Sequence, residues 1–280
     1  MFAKKVQIRS LLVLFAIITA CTSISTTEVV DLQTEGRESP LGIDRTHPRF
    51  TWKIITEGQD VGQSACQILV ATDPSLLAEG SADLWDSEKI ISSQSDMTPY
   101  EGVPLGSGME VYWKVRIWDV SDQPTSWSQP TTFSMGLLDR KDWKASWIGL
   151  DRAVGNDQPE IENRLLSARY LRKDFSAEKT VKRAMAYIVG MATYELYLNG
   201  NKAGDHVLSP ALSEYPKRSY YVTYDVSDQL NKGQNAVGVI LGNGRYFSPR
   251  INAPTPTLTY GFPKLLLQID IEFEDGSRDL

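Results

Sequence analysis

Apolar residues at every second position, repeated in short runs along most of the chain, constrain this sequence more than any other feature. Within residues 111–118, Val111, Trp113, Val115 and Ile117 point one way while Lys114 and Arg116 point the other. Residues 264–273 place Leu265, Leu267, Ile269, Ile271 and Phe273 on one face. A period of two is the signature of a strand with one buried face. The same pattern recurs at 28–32, 49–54, 65–71, 168–175, 184–189, 194–198, 220–226 and 236–241. Turn residues punctuate the runs: Ser39-Pro40, Asp73-Pro74, Gly106-Ser107-Gly108 and Ser121-Asp122-Gln123-Pro124, with Asn199-Gly200 as a strong hairpin signal. No stretch makes a convincing long amphipathic helix. The nearest is 74–84, which Gly80 interrupts. The expected fold class is all-β.

The pattern also divides the chain. Short, turn-punctuated strands over residues 28–136 predict a β-sandwich. Trp127-Ser128 and the strand around Phe133 fit the last strand of a fibronectin-III/Ig-like module. Periodicity fades across 137–166, read as a linker that Trp143 and Trp147 pin to a neighbouring domain face. Strands resume over 167–280. The final apolar run meets Glu274-Asp275-Gly276-Ser277, a turn that needs a returning strand to satisfy backbone donors and acceptors. Arg278-Asp279-Leu280 follow, so the second domain is expected to be incomplete at its C-terminus.

The first residues read as a targeting device. Lys4, Lys5 and Arg9 precede a ten-residue apolar run from Leu11 to Ala20, too short to span a bilayer but suited to a signal peptide. Ile18-Thr19-Ala20-Cys21 resembles a bacterial lipobox, which implies cleavage after residue 20, acylation of Cys21 and a tether over 21–27. The expected location is the periplasm or cell envelope, with membrane contact only through the lipid. Losing three cations and no anion moves the net charge from -6 to -9, which argues against nucleic acid as a partner. Cys66 then remains alone, alternating with Ile68 and Val70 as a small buried hydrophobe.

Catalytic chemistry finds little material. The two histidines, His47 and His206, cannot form a metal cluster, and no Gly-x-Ser-x-Gly elbow is present. Paired carboxylates serve glycoside hydrolysis, but 35 acidic residues make such pairs uninformative. No catalytic residue and no metal ligand is nominated, and no cofactor is required. A polar and aromatic set at the ends of second-domain strands is the candidate carbohydrate site: Tyr194, Asn199, Asp205, Tyr215, Asn243, Arg245 and Tyr246. Such groups hydrogen-bond sugar hydroxyls and stack on apolar sugar faces. Ordinary turn chemistry explains Asn199 and Asn243 equally well.

Specific wording adds to the periodicity. Residues 224–230 (Tyr-Asp-Val-Ser-Asp-Gln-Leu) and 232–239 (Lys-Gly-Gln-Asn-Ala-Val-Gly-Val) resemble the galactose-binding-like jelly rolls of large glycosidases. Together with Tyr194–Gly204, Leu241–Tyr246 and Tyr260–Leu266, they resemble the N-terminal region of bacterial α-L-rhamnosidases. Glu38–Asp44, Pro48–Trp52, Asp83–Ser87 and Tyr112–Asp119 resemble that family's fibronectin-like opening domain. The resemblance implies a hydrolase that releases terminal L-rhamnose with inversion from glycans or glycosides. Its catalytic glutamates would lie in a C-terminal (α/α)₆ barrel that no residue here matches. It also brings in calcium, through which some members bind rhamnose, with Asn199 and Asn243 as positions for such contacts. Two alternatives stay open: a stand-alone carbohydrate-binding lipoprotein, and the N-terminal part of another large glycosidase of the β-galactosidase type.

Overall fold

The computed structural model describes residues 27–57, 62–158, 166–247 and 259–280. The signal segment 1–20 and Cys21 lie outside them. The chain is all-β, as expected, with two sandwiches in series.

In the first sandwich one sheet holds β1 (Thr27–Thr34), β2 (Arg49–Thr56) and the two-residue β6 (Thr98–Pro99). The facing sheet runs β4 (Trp85–Asp86), β3 (Gln63–Ala71), β7 (Glu110–Asp119) and β8 (Thr131–Ser134), with β5 (Ile90–Ile91) also on β3. Inward positions of both sheets make the core. Phe50 and Trp52 from β2 meet Cys66, Ile68, Val70, Trp113 and Val115. Phe50 and Trp113 stack with centroids 4.3 Å apart. The two core indoles of Trp52 and Trp113 both find acceptors, Trp113 Nε1 on Thr34 Oγ1 at 3.1 Å and Trp52 Nε1 on Gln63 Oε1 at 3.0 Å. Burial raises the Cys66 thiol to about 11, so it packs as the hydrophobe its alternation predicts. The candidate helix at 74–84 is only a 3₁₀ turn, Pro74–Leu76, capped by Asp73. Gly80 at φ 72° breaks any continuation.

The segment after β8 is not loose. Asp139 and Asp142 cap a 3₁₀ turn at Arg140–Asp142 reciprocally, and β9 (Ile148–Gly149) joins a sheet of the second sandwich. That sandwich sets β10 (Arg169–Ala177), β15 (Gly233–Leu241), β12 (Tyr194–Leu198) and β13 (Asn201–Lys202) in one sheet. The other carries β14 (Val222–Asp225), β11 (Val181–Met191), β16 (Lys264–Phe273) and β17 (Arg278–Asp279). β16 has the bounds its alternation predicts, and β17 returns from the Asp275-Gly276 turn to pair Asp279 with Ile271.

Residues 184–190 of β11 are buried on both faces, which a sheet with one solvated face would not require. Ala184, Ala186 and Ile188 face the sandwich core. Met185 and Tyr187 face the other way, against Leu137, Trp143 and Tyr221. Trp143 sits edge-on to Tyr187 at 6.4 Å and to Tyr221 at 5.5 Å. Arg183 Nη1 donates to the Gly108 carbonyl at 3.1 Å, joining the two sandwiches directly. Gln268 Nε2 donates to Asp142 O at 3.1 Å while its Oε1 accepts from Lys144 N at 2.7 Å. Of the two linker tryptophans only Trp143 is pinned; Trp147 stays 44 % exposed.

Candidate functional site

Strand register separates the seven sequence-predicted sugar-site residues. β12 and β15 run antiparallel, pairing Tyr194 with Leu241 and Leu198 with Val237. Asn199 therefore emerges at one end of the sheet and Asn243 at the other, on the order of 20 Å apart at ~3.3 Å per residue.

Asn199 belongs to the turn. It lies at φ 50° before Gly200, and its amide is fully occupied. Its Nδ2 donates to Gln229 O and to Asn235 Oδ1, both at 2.8 Å, and its Oδ1 accepts from Ala236 N at 2.8 Å. Tyr194 is 4 % exposed inside the second core, where burial beside Tyr224 pushes its hydroxyl far above the ordinary tyrosine range. Neither has a free face for a ligand. Asp205 is fully exposed, with His206 Nδ1 4.0 Å from its carboxylate.

The remaining four converge at the opposite end, where the loops after β11, β13 and β15 meet. Gly242 N donates to Thr193 O at 2.8 Å, so the β15 loop crosses tightly over the β11–β12 turn. A Cβ at Gly244 would sit 2.8 Å from Thr193 N, so glycine and its φ of 49° are needed there. Asn243 Nδ2 donates to Leu166 O at 2.8 Å, tying the loop to the linker. Beyond it the rings of Tyr215, Tyr246 and Tyr260 form a cluster. Tyr215 stands edge-on to Tyr246 at 5.0 Å and to Tyr260 at 5.3 Å, while Tyr246 and Tyr260 stack at 5.8 Å and 27°. Phe247 and Phe262 repeat that stack one layer inward, at 5.8 Å and 25°. Burial raises the Tyr215 hydroxyl, and the positive charge of Arg245 nearby works against that shift.

Tyr260, which opens the family-like Tyr260–Leu266 stretch, is not among the seven sequence-predicted residues. It is 46 % exposed and offers the most open ring of the cluster. Two stacked phenols, a third ring across them and a guanidinium nearby give an amphipathic surface for a flat apolar sugar face with flanking hydroxyls. Among the described residues the arrangement holds no pair of carboxylates and no nucleophile with a base.

Calcium does not fit the predicted residues. The two asparagines are at opposite ends of the sheet, and the Asn199 amide oxygen already accepts from Ala236 N. Calcium takes 6–8 oxygens, and among the described residues no three of His, Cys, Asp or Glu cluster.

Two family models match the chain in series. The Rha78A-like N-terminal immunoglobulin domain covers residues 29–139, and the α-L-rhamnosidase N-terminal domain covers 179–280. An α-L-rhamnosidase of Formosa agariphila is 40% identical over 86% of this chain and 27% of its own length. One from Alteromonas sp. is 37% identical over 88% of this chain and 27% of its own. The solved α-L-rhamnosidase from Dictyoglumus thermophilum superimposes with a TM-score of 0.79 at 38% identity, covering 90% of this chain and 28% of that one. The Streptomyces avermitilis enzyme complexed with L-rhamnose shares the fold, with a TM-score of 0.79 at 20% identity, covering 91% of this chain and 40% of that one. The chain thus spans about a quarter of the length of the curated relatives named here. With both N-terminal domains present in order, it belongs to the α-L-rhamnosidase family and corresponds to the N-terminal part of those enzymes.

Proposed function

We propose that this chain is the N-terminal, non-catalytic portion of an α-L-rhamnosidase acting on rhamnose-containing glycans or glycosides. The carrying observation is the serial match of two rhamnosidase domains, backed by 40% identity to a curated enzyme of that name. In this reading hydrolysis, with inversion at the sugar, belongs to a catalytic domain that the relatives' greater length accommodates. The polypeptide encoded by the complete gene should release phenol from an aryl α-L-rhamnoside, and the 280-residue chain should not. Turnover by the 280-residue chain would overturn the assignment. The β-galactosidase-type alternative draws no support from these relatives.

A sugar-binding role for the second sandwich is favoured by the Tyr215–Tyr246–Tyr260 cluster. Because the predicted residues form no cation cage, binding of L-rhamnose should survive chelation of calcium. Titration with L-rhamnose in the presence and absence of EDTA tests this, and silence at millimolar sugar would remove the role.

Export as a lipoprotein completes the proposal. It rests on the basic start, the ten-residue apolar run and the small residues before Cys21. The anchored protein would face the periplasm or the outside of the cell envelope.

A further inference from the structure

The sheet of β10, β15, β12 and β13 turns one face away from the second core, and register sets the side chains of that face in rows. Arg172, Gly238, Tyr197 and Lys202 form one row across the four strands, and Tyr170, Ile240 and Glu195 form the next. β15 is an inner strand, and the middle of its outward face holds Ala236, Gly238 and Ile240, all partly exposed. Tyr170 rises beside them from β10, 78 % exposed, and Tyr197 rises from β12. These flanking strands lie two spacings apart, about 9–10 Å. The Glu195 carboxylate raises the Tyr197 hydroxyl above the ordinary tyrosine range, and Tyr170 from the other side adds to the effect. The face is thus a shallow trough, floored by β15 and edged by two phenol rings.

The fold does not account for Gly238. Its φ lies outside the left-handed region, and β15 keeps unbroken register with both neighbours, so neither a turn nor a bulge requires it. A Cβ there would meet no packed neighbour nearer than Leu171 O at 3.9 Å and Tyr197 Cβ at 4.0 Å. Glycine weakens a strand interior; without a bulge or bend to serve, it marks a place where something approaches the backbone closely. Charge narrows the choice of visitor. Arg172 donates to Asp174 at 2.9 Å and Lys202 to Glu195 at 2.9 Å, so two cations and two anions cancel within the face. A polyanion gains no net attraction there. A protein partner finds no fully exposed aliphatic anchor among these residues.

We infer that this trough is a glycan site on the sheet face, holding a stretch of neutral, unbranched oligosaccharide and sharing no residue with the Tyr215–Tyr246–Tyr260 cluster. The two phenol rings stack on apolar sugar faces, and Gly238 admits a sugar ring close to the backbone. The paired charges at the rim donate to and accept from sugar hydroxyls. The trough itself is independent of the proposed function; only the choice of rhamnose as the probe's repeating unit rests on it.

The test is a titration of the full 280-residue chain, isotope-labelled and read at the backbone amide resonances of Gly233–Leu241. A neutral rhamnose hexasaccharide should shift them, and hexagalacturonate should not. Tyr170→Ala should weaken the hexasaccharide by about tenfold, the scale of one lost aromatic contact. Gly238→Val should abolish its binding while the melting temperature holds or rises, since valine suits a strand. If Gly238→Val lowers the melting temperature instead, Tyr170→Ala decides alone, because that side chain is exposed. Tyr260→Ala, in the loop cluster, should leave the β15 shifts as they are. Unmoved β15 amides, an equal response to both oligosaccharides, or unchanged affinity in Tyr170→Ala each overturns the inference. So does slower amide exchange of β15 in the polypeptide encoded by the complete gene than in the 280-residue chain, which would give the face to a protein contact. The readout is local to β15, so failure here leaves both the enzymatic assignment and the loop cluster standing.

Discussion

The Arg169 guanidinium donates to the Asp157 carboxylate at 2.7 Å, with the two side chains 6 % and 0 % exposed. The same carboxylate accepts from Val154 N at 2.8 Å and Ser167 N at 2.7 Å, and Arg169 also donates to the carbonyls of Arg152 and Ser167. The pair fastens the end of the linker to the first strand of the second sandwich. The Arg169 hydrogen bond, reinforced by the two backbone donors, holds the Asp157 carboxyl well below the usual carboxylate range. A depressed folded pKa means stability that is complete above the unfolded value and lost as pH falls through the folded one. Asp157→Asn, which strands a buried guanidinium, should therefore lower the melting temperature. The gap between wild type and variant should stay constant above about pH 4 and shrink below it. Thermal melts from neutral to acid pH check both statements.

Asn199→Ala should cost about 3 kcal/mol, because three hydrogen bonds are lost and the buried Asn235 amide loses a partner. Sugar affinity should not change. Chemical denaturation paired with a rhamnose titration separates this structural role from the ligand role assigned at sequence level.

Gly136→Ala places a methyl group against the Tyr221 hydroxyl and 3.1 Å from the Gly42 carbonyl, at the seam between the sandwiches. Overpacking there should cost about 1–3 kcal/mol and fall on the interface rather than on either core. Calorimetry should show one unfolding transition broadening or splitting into two, with Trp143 fluorescence following the lower one.

Tyr260→Ala should weaken binding of a rhamnose-containing oligosaccharide by about tenfold, the scale of one lost aromatic contact. Tyr260→Phe should retain most of the affinity if stacking dominates. Isothermal titration of both variants gives the comparison, with far-UV circular dichroism to confirm the fold.

Cys21→Ser should abolish incorporation of labelled palmitate in a bacterial host and leave the apolar leader uncleaved by the lipoprotein route. Gel autoradiography of the membrane fraction reads the result.

Strand positions were legible in the sequence wherever one face is buried and the other wet. β7 and β16 show this best, because the alternation itself is the burial pattern. β11 was underestimated: its outward Met185 and Tyr187 are buried by a domain contact that no local pattern announces. The sequence-predicted sugar-site residues part company for a related reason. Asn199 and Asn243 both follow strands, but antiparallel pairing of β12 with β15 sends those strand ends in opposite directions. Trp143 and Trp147 are four residues apart and have similar surroundings in sequence, yet only the first meets tyrosines across the seam. Tyr260 escaped notice because its partners, Tyr215 and Tyr246, come from two separate loops.

Cys66 lies between the sheets of the first sandwich at 0 % exposure, without a thiol partner among the described residues. Residues 28–136 therefore offer it no second cysteine to pair with. With burial holding the thiol protonated to about 11, alkylating reagents must wait for the sandwich to open. The rate of Cys66 labelling is thus a clock for opening of one half of the molecule, readable while the other half remains folded.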